Sequence, residues 1–196
     1  AAIGLVEELT VEAAKRVCLG AGAKVDLVFS HHLNRSEVQQ IIDHKIDIIL
    51  LAGGADGGNS ECVIYNAKML GKMKIDKPII YAGNKSAQDD ISDIFDQYHL
   101  DGYICDNVMP KINVLNIESA RDKIRQIFLD KIIEAKGIKA IESEIDAVIL
   151  PTPNAVLEAA KLLSEGYLEE EGLGDLVIVD IGGATTDMYS ICTATK

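Results

Sequence analysis

The strongest constraint on the fold is a regular alternation of short apolar runs with longer segments of helical periodicity. The runs are rich in β-branched residues, and in the segments between them apolar residues recur three and four positions apart. Strands that alternate with helices in this way form βαβ units, in which helices cover both faces of a mostly parallel sheet. The predicted strands are residues 25–29, 46–51, 78–81 and 102–105, and the predicted helical patterns are residues 38–42, 63–70, 91–98 and 119–132.

Changes in this pattern divide the chain into three segments. Residues 1–22 are predicted to form a helical lead-in, because Thr10 can cap a helix there. Residues 23–135 are predicted to form one Rossmann-like α/β domain. The pattern then becomes short and charged, and residues 136–196 are predicted to begin a different unit.

Local signals indicate where individual helices begin. Ser86 and Asp89 have the spacing of a capping box, with Asp in place of the usual Glu. In the last segment Thr152 can cap a helix, and Pro153 suits its first position. An acidic linker then leads to a continuous apolar strand at residues 176–179.

Charge and cysteine spacing narrow the class of partner and the compartment. The 196 residues include 19 Lys and Arg against 31 Asp and Glu, a formal net charge of -12. This balance argues against a nucleic-acid partner, because phosphate backbones are bound by clustered basic residues. No stretch reaches the roughly twenty apolar residues of a membrane helix, so no membrane partner is expected. Four cysteines lie far apart without metal-ligand spacing, as expected for reduced thiols of a cytoplasmic protein: Cys18, Cys62, Cys105 and Cys192.

The stretch that carries most chemical information lies near the end of the chain, between two predicted strands. Glycines allow backbone N–H groups to approach a phosphate chain closely, and threonine hydroxyls add donors. A carboxylate at the strand end can hold the hydrated Mg²⁺ that accompanies a nucleotide. The alternative is a tight hairpin turn without a ligand. The residues are Asp180, Ile181, Gly182, Gly183, Ala184, Thr185, Thr186 and Asp187.

The pattern Asp-x-Gly-Gly-x-Thr between two strands resembles a phosphate loop of the actin, hexokinase and Hsp70 superfamily. The upstream segment Pro-Thr-Pro-Asn-Ala at residues 151–155 resembles Hsp70 in particular. The resemblance implies that residues 136–196 are part of an actin/Hsp70-like (ribonuclease H-like) subdomain. It also implies binding of ATP and Mg²⁺ by the full-length parent. Ala184 departs from the pattern, because Hsp70 has a third glycine there.

Nearly the whole chain resembles the MutL/GlmL family, accessory proteins of adenosylcobalamin-dependent mutases such as glutamate mutase; these are unrelated to the mismatch-repair protein of similar name. The resemblance implies an ATP-dependent, chaperone-like role in reactivating a mutase subunit. The Asp-x-His-x-x-Gly signature of cobalamin-binding domains is absent, so the chain is not expected to bind cobalamin directly. The segments that carry the resemblance are residues 8–16 (ELTVEAAKR), 50–59 (LLAGGADGGN), 107–110 (NVMP), 113–116 (NVLN) and the phosphate loop.

Two further loops are candidate ligand or partner sites. The first follows a strand and precedes a helix, where open α/β sheets bind ligands; the alternative is a glycine-rich turn in which Asn59 caps the helix. The second is predicted to be a long irregular loop over residues 106–118, which is uncommon without a function; its asparagines could instead satisfy local backbone groups. The first comprises Gly53, Gly54, Asp56, Gly57, Gly58 and Asn59, and the second contains Asn107, Pro110, Asn113 and Asn116.

Other motifs do not support an assignment. His31 and His32 are adjacent in an extended segment, where neighbouring side chains diverge, so exposed loop histidines are expected rather than a metal site. No nucleophile elbow or Cys/His pairing is found, and no catalytic residue is assigned. Two other functions stay open: a hydantoinase-type metabolic enzyme, in which a similar loop stands at the start of the protein, and a non-catalytic partner-binding α/β module.

We expect the chain to be a fragment of a larger protein, because the first phosphate loop and the adenosine-binding segment implied by the resemblance are missing from it. We therefore predict that the purified 196-residue chain shows no steady ATP hydrolysis in a phosphate-release assay. Sustained turnover that Asp180→Ala abolishes would contradict this prediction.

Overall fold

The computed structural model describes residues 1–135, 152–168, 170–182 and 186–192. The chain forms two compact units, Ala1–Lys131 and Ile132–Lys196. Their division lies a few residues before the predicted start of the last segment at residue 136. Each unit is described by itself.

The first unit is built on a five-stranded, all-parallel sheet with the strand order β2-β1-β3-β4-β5. This confirms the predicted Rossmann-like α/β architecture. The strands are shorter than predicted, because each leaves the sheet after three residues. They are β1 (Ala2–Gly4), β2 (Val28–Ser30), β3 (Ile49–Leu51), β4 (Ile79–Tyr81) and β5 (Gly102–Ile104); the helices are α1 (Glu12–Gly20), α2 (Arg35–Asp43), α3 (Glu61–Lys72), α4 (Gln88–Tyr98) and α5 (Glu118–Ala135).

The predicted helical lead-in is wrong in two respects. Residues 2–4 form β1, which lies between β2 and β3 in the sheet, so the first 22 residues belong to the α/β unit. Thr10 does not cap a helix start. Its hydroxyl oxygen accepts hydrogen bonds from the N–H groups of Leu5 at 2.8 Å and Val6 at 2.9 Å, inside a π-helical turn, Glu7–Val11, that precedes α1. Thr10 thereby fixes the loop that leaves β1.

Both faces of the sheet are buried. Successive strand residues point to opposite faces, so even a three-residue strand contributes to two cores. One core contains Ile3, Ile49, Leu51, Ile79 and Tyr81 with side chains of α2, α3 and α4. The other contains Ala2, Leu50, Ile80 and Ala82 with side chains of α1 and α5. Each fully buried Leu or Ile contributes about 1.5–3 kcal/mol relative to an exposed one, so this double burial stabilises short strands.

Two helix starts differ from the predicted ones. The Ser86/Asp89 capping box is not formed; instead the Asn84 side chain accepts the Ser86 N–H at 3.0 Å, and a short 3-10 turn, Lys85–Ala87, leads into α4. A capping box does form at α2, where Asn34 and Glu37 exchange side-chain-to-backbone hydrogen bonds. In both cases an asparagine supplies the cap, as its short amide favours that position.

In the second unit, the described residues from 152 onward form one helix and two small antiparallel sheets. Helix α6 (Thr152–Glu165) is followed by β6 (Gly166–Tyr167) paired with β7 (Glu170–Glu171), and then by β8 (Leu176–Ile181) paired with β9 (Thr186–Ile191). Helix α6 contacts both strands of the β8–β9 hairpin. Strand β8, the predicted apolar strand, alternates in burial, and its Val177, Val179 and Ile181 side chains are exposed.

Packing between α4 and β5 gives a stability prediction. A Cβ atom on Gly102 would overlap the ring of Phe95, which is buried in the core. We expect Gly102→Ala to lower the free energy of unfolding by about 1–3 kcal/mol, the usual cost of overpacking. Gly20→Ala is the matched control, because its nearest neighbour would be the Cδ atom of Arg121 at 3.8 Å. Urea denaturation measures both; equal stabilities of the two variants would contradict the prediction.

Candidate functional site

The first candidate site lies at the carboxyl ends of β1 and β3, the neighbouring strands at the centre of the sheet. The chain passes from β1 to α1 on one face and from β3 to α3 on the other, so the connections change face between these two strands. In open α/β sheets such a switch point is where ligands bind. Residues 53–59 form the loop after β3, as predicted. We call residues 53–59 the glycine loop.

Two residues of the glycine loop must be glycine for different reasons. Gly54 has a φ of +73°, and a Cβ atom on it would collide with the carbonyl oxygen of Asn59, so the closure of the loop itself excludes a side chain. Gly57 has a φ of +75° with open space around it, so only its backbone conformation favours glycine. As the alternative held, Asn59 bonds to the start of α3: its Oδ1 accepts the Cys62 N–H at 3.2 Å, from the position before the N-cap residue Ser60.

Asp56 joins the two loops that the sequence singled out separately. Its backbone N–H donates to the carbonyl of Pro110 at 3.0 Å. Its Oδ1 accepts hydrogen bonds from the Asn107 side chain at 2.9 Å and from the Lys85 N–H at 3.0 Å. The glycine loop and residues 106–117 therefore form one surface, which we call the carboxyl rim.

Asn84 holds the glycine loop from beneath and was missed in the sequence. It is fully buried, its Oδ1 accepts the Gly57 N–H at 3.0 Å, and its Nδ2 donates to the Gly58 carbonyl at 3.0 Å. The hydroxyl of Tyr81 donates to the Asn84 carbonyl at 2.8 Å. Burial, and secondarily the charge of Asp56, raises the pKa of Tyr81 well above its usual range, so the phenol stays a neutral donor. An asparagine just after a strand is common, so its position in the sequence does not distinguish Asn84, and its burial does.

Residues 106–117 are more ordered than the predicted irregular loop. Asn107 is buried and donates to the Gly54 carbonyl at 3.0 Å, while its Oδ1 accepts the Met109 N–H at 3.0 Å. Asn113 has a φ of 62°, which completes a tight turn closed by the Val114 N–H bond to the Lys111 carbonyl at 2.9 Å. The backbone N–H of Asn116 donates to the Val108 carbonyl at 2.9 Å. The Asn107 side chain thus serves local backbone groups, as the alternative held, and also reaches the glycine loop. Asn113 contributes its left-handed conformation and Asn116 its backbone N–H.

The second candidate site is the turn of the β8–β9 hairpin. The structure describes Asp180, Gly182 and Thr186 of the predicted phosphate loop, whereas Gly183, Ala184 and Thr185 lie outside the described residues. Asp180 pairs with Asp187, and Ile181 with Thr186, next to the turn. Asp180, Asp187 and Tyr189 lie on the same, less exposed face of the hairpin. Burial raises the pKa of the Tyr189 phenol, with smaller contributions from Asp187 and Asp180.

The hairpin fits a hydrated cation better than a fully protein-bound one. Asp180 and Asp187 lie opposite each other in the strand pair, so a cation bound there would be close to both carboxylates. In the part of the chain that the structure describes, no group of three or more His, Cys, Asp or Glu side chains could hold a metal ion. A cation here would keep most of its water ligands, which is how proteins usually hold Mg²⁺.

The histidines lie at the surface of the protein, and three of the cysteines are buried. His31 and His32 are exposed, and the His32 ring lies 4.6 Å from the ring of Tyr65. Burial raises the pKa of three cysteine thiols, Cys18, Cys62 and Cys105. Within the described ranges, no helix is long and apolar enough to cross a membrane.

Fold and rim together define a doubly wound α/β protein with an asparagine-held glycine loop at its switch point. Comparison with known proteins gives the family: the profile described as MutL protein matches residues 1–196, and the chain belongs to this family. It is 56% identical over 190 residues to Protein MutL of Clostridium tetanomorphum, an alignment that covers 97% of this chain and 41% of that protein. The chain thus spans about two fifths of the length of this relative. No solved structure matches the chain.

The side-chain hydrogen bonds of Asn107 give a stability prediction for the carboxyl rim. Asn107→Asp keeps the acceptor for Met109, but it removes the donor to Gly54 and places a second carboxylate beside Asp56. We expect a loss of about 2–4 kcal/mol in unfolding free energy at pH 7, since a buried group loses its partner and like charges meet.

Asn113→Asp is the matched control, because the same substitution falls on an exposed turn whose left-handed conformation Asp also tolerates. We expect a change within about 0.5 kcal/mol there. Urea denaturation compares the two, and equal effects would show that Asn107 does not hold the loops together.

Proposed function

We propose that the chain is part of an ATP-binding, chaperone-like accessory protein that reactivates a cobalamin-dependent mutase of the glutamate mutase type. The observation that carries the proposal is a glycine turn between two paired strands, with Asp180 at the strand end, in a chain that belongs to the MutL family. The resemblance of this turn to actin/Hsp70-like phosphate loops supports a nucleotide ligand. Its place of action in this proposal is the cytoplasm.

The residues of the turn have separate roles in this proposal. Backbone N–H groups of Gly182, Gly183 and Ala184 bind phosphate oxygens, and the hydroxyls of Thr185 and Thr186 donate further hydrogen bonds. The Asp180 carboxylate accepts hydrogen bonds from water ligands of Mg²⁺. When the nucleotide is bound, its hydrolysis would change these contacts. No side chain of the described residues is assigned as a catalytic base.

A chaperone-like role requires that nucleotide and mutase affect each other's binding. A ligand shifts a conformational equilibrium only by its difference in affinity for the two states. If ATP changes the affinity for the mutase by some factor, then the mutase changes the affinity for ATP by the same factor. This reciprocity separates an accessory protein from one that binds both ligands independently.

The other functions considered receive less support. The family profile covers the α/β unit as well as the hairpin, which favours the accessory role over a hydantoinase-type enzyme. The ordered carboxyl rim favours a partner-binding surface within the same protein, so the partner-binding alternative becomes one part of this proposal. The cobalamin is held by the mutase in this proposal, since the chain lacks a cobalamin-binding signature.

Titration calorimetry of Mg-ATP into the full-length protein tests the nucleotide site. We expect Asp180→Ala to weaken binding by tenfold or more, about 1.4 kcal/mol, because the hydrated cation loses its carboxylate. Asp93→Ala is the matched control, since Asp93 is exposed on α4 of the other unit, and its binding should equal that of the unaltered protein. Absence of Mg-ATP binding by the unaltered protein would overturn the nucleotide part of the proposal.

A further inference from the structure

The turn of the carboxyl rim exposes a run of aliphatic side chains. Ile112 is 69% exposed, Val114 48% and Leu115 41%, and they lie within four consecutive residues. Single exposed aliphatic residues are normal on protein surfaces, whereas several together mark an interaction site. Side chains this exposed do not line a pocket, so a small-molecule ligand is a poor match for them.

The backbone that carries these side chains is fixed in place. The turn closes on itself through the 2.9 Å bond between Val114 and Lys111, and its base is held by Asn116 to Val108 at 2.9 Å. The Asp56 N–H bond to Pro110 at 3.0 Å ties it to the glycine loop. A preorganised loop loses little conformational entropy on binding, so its apolar contacts convert more fully into affinity.

The charge around the turn identifies the class of partner. Residues 107–117 contain Lys111 and no Asp or Glu, in a chain whose net charge is -12. That net charge disfavours nucleic acid. A membrane surface is also disfavoured, because the segment has one basic residue and no aromatic one, and Asp106 and Glu118 flank it. The partner that best fits the turn is therefore the surface of another protein.

Two lysines of this chain indicate the charge that the partner's surface carries. Pro110, next to Lys111, and the backbone N–H of Lys85 both bond to Asp56, so the backbones of both lysines lie close to it. Neither Lys85 nor Lys111 forms an ion pair with another residue that the structure describes. Complementary charge steers partners together and fixes their orientation, so carboxylates are expected at the edge of the partner's binding surface.

We propose that residues 111–115, fastened to the glycine loop through Asp56, insert into an apolar cleft edged by carboxylates on a folded partner protein. The proposal rests on the proposed function in taking the cobalamin-dependent mutase as this partner. Ile112 and Leu115 supply the apolar contact, and Lys111 with Lys85 supplies the charge. Asp56 and Asn107 act as positioning residues that present the turn.

Titration calorimetry of the full-length protein against purified glutamate mutase tests the surface. We expect Ile112→Asp and Leu115→Asp each to weaken binding by tenfold or more, since central apolar residues dominate protein interfaces. We expect Lys111→Glu to slow association and to make the remaining affinity less sensitive to salt. Mg-ATP binding, measured on the same variants, is expected to stay unchanged.

Leu19→Asp is the matched control. Leu19 is a 64% exposed leucine at the end of α1, next to Gly20, whose carbonyl accepts a bond from Arg125 at 2.9 Å, and no residue of the carboxyl rim takes part in that contact. It should bind the mutase as the unaltered protein does. Equal binding by the Ile112, Leu115 and Leu19 variants would overturn the docking surface and leave the proposed function standing. No binding by the unaltered protein would overturn both.

Discussion

Strands of only three residues place the ends of the sheet close to its buried centre, so the backbone polar groups where the chain leaves the strands need partners. A buried N–H or C=O group without a partner costs about as much as a lost hydrogen bond. At the carboxyl ends of β3, β4 and β5, side-chain amides and one carboxylate supply these partners. Asn84 serves the amide of Gly57 and the carbonyl of Gly58, and Asn107 serves the carbonyl of Gly54.

This pairing has a second consequence, because the same bonds join loops that are far apart in the chain. Asp56 receives one hydrogen bond from the loop after β4 and another from the loop after β5. Displacing either loop would therefore break a hydrogen bond to the Asp56 carboxylate, which costs about 1.5–3 kcal/mol for a bond to a charged group. These bonds link the loop that carries the exposed turn at residues 111–115 to the other loops of the rim.

The parallel sheet could be predicted because its central strands are apolar runs separated by helical patterns. β1 could not, since Ala2, Ile3 and Gly4 are too few to show a periodicity and only their pairing with β2 and β3 identifies them. The two loops of the rim could be singled out by composition, but their contact could not, because Asp56 and Asn107 are 51 positions apart. Asn84 was missed because an asparagine after a strand is common, and only its burial shows its role.

The β8–β9 hairpin contains a strand that the sequence predicts, but the sequence does not show which of its side chains are buried. Residues 176–179 are apolar on both faces, yet Val177 and Val179 are exposed, because α6 lies against the other face of the hairpin. Two paired strands are marginal without further cover, yet α6 covers one face. The Asp180–Asp187 pair lies on that strand pair, next to the connection between the strands. In the proposed function, a cation held by Asp180 would therefore lie close to a phosphate bound at that connection.

A preorganised apolar turn and a nucleotide site are useful together for a kinetic reason. Affinity differences between related complexes lie mostly in the dissociation rate, so a rigid aliphatic turn that captures a partner also releases it slowly. An accessory protein must release its partner after each cycle, and a fixed surface cannot do both well. A coupling free energy of about 1–3 kcal/mol between two sites changes affinity by about 5- to 150-fold. Nucleotide binding coupled on this scale would let the same turn bind tightly in one state and release in the other.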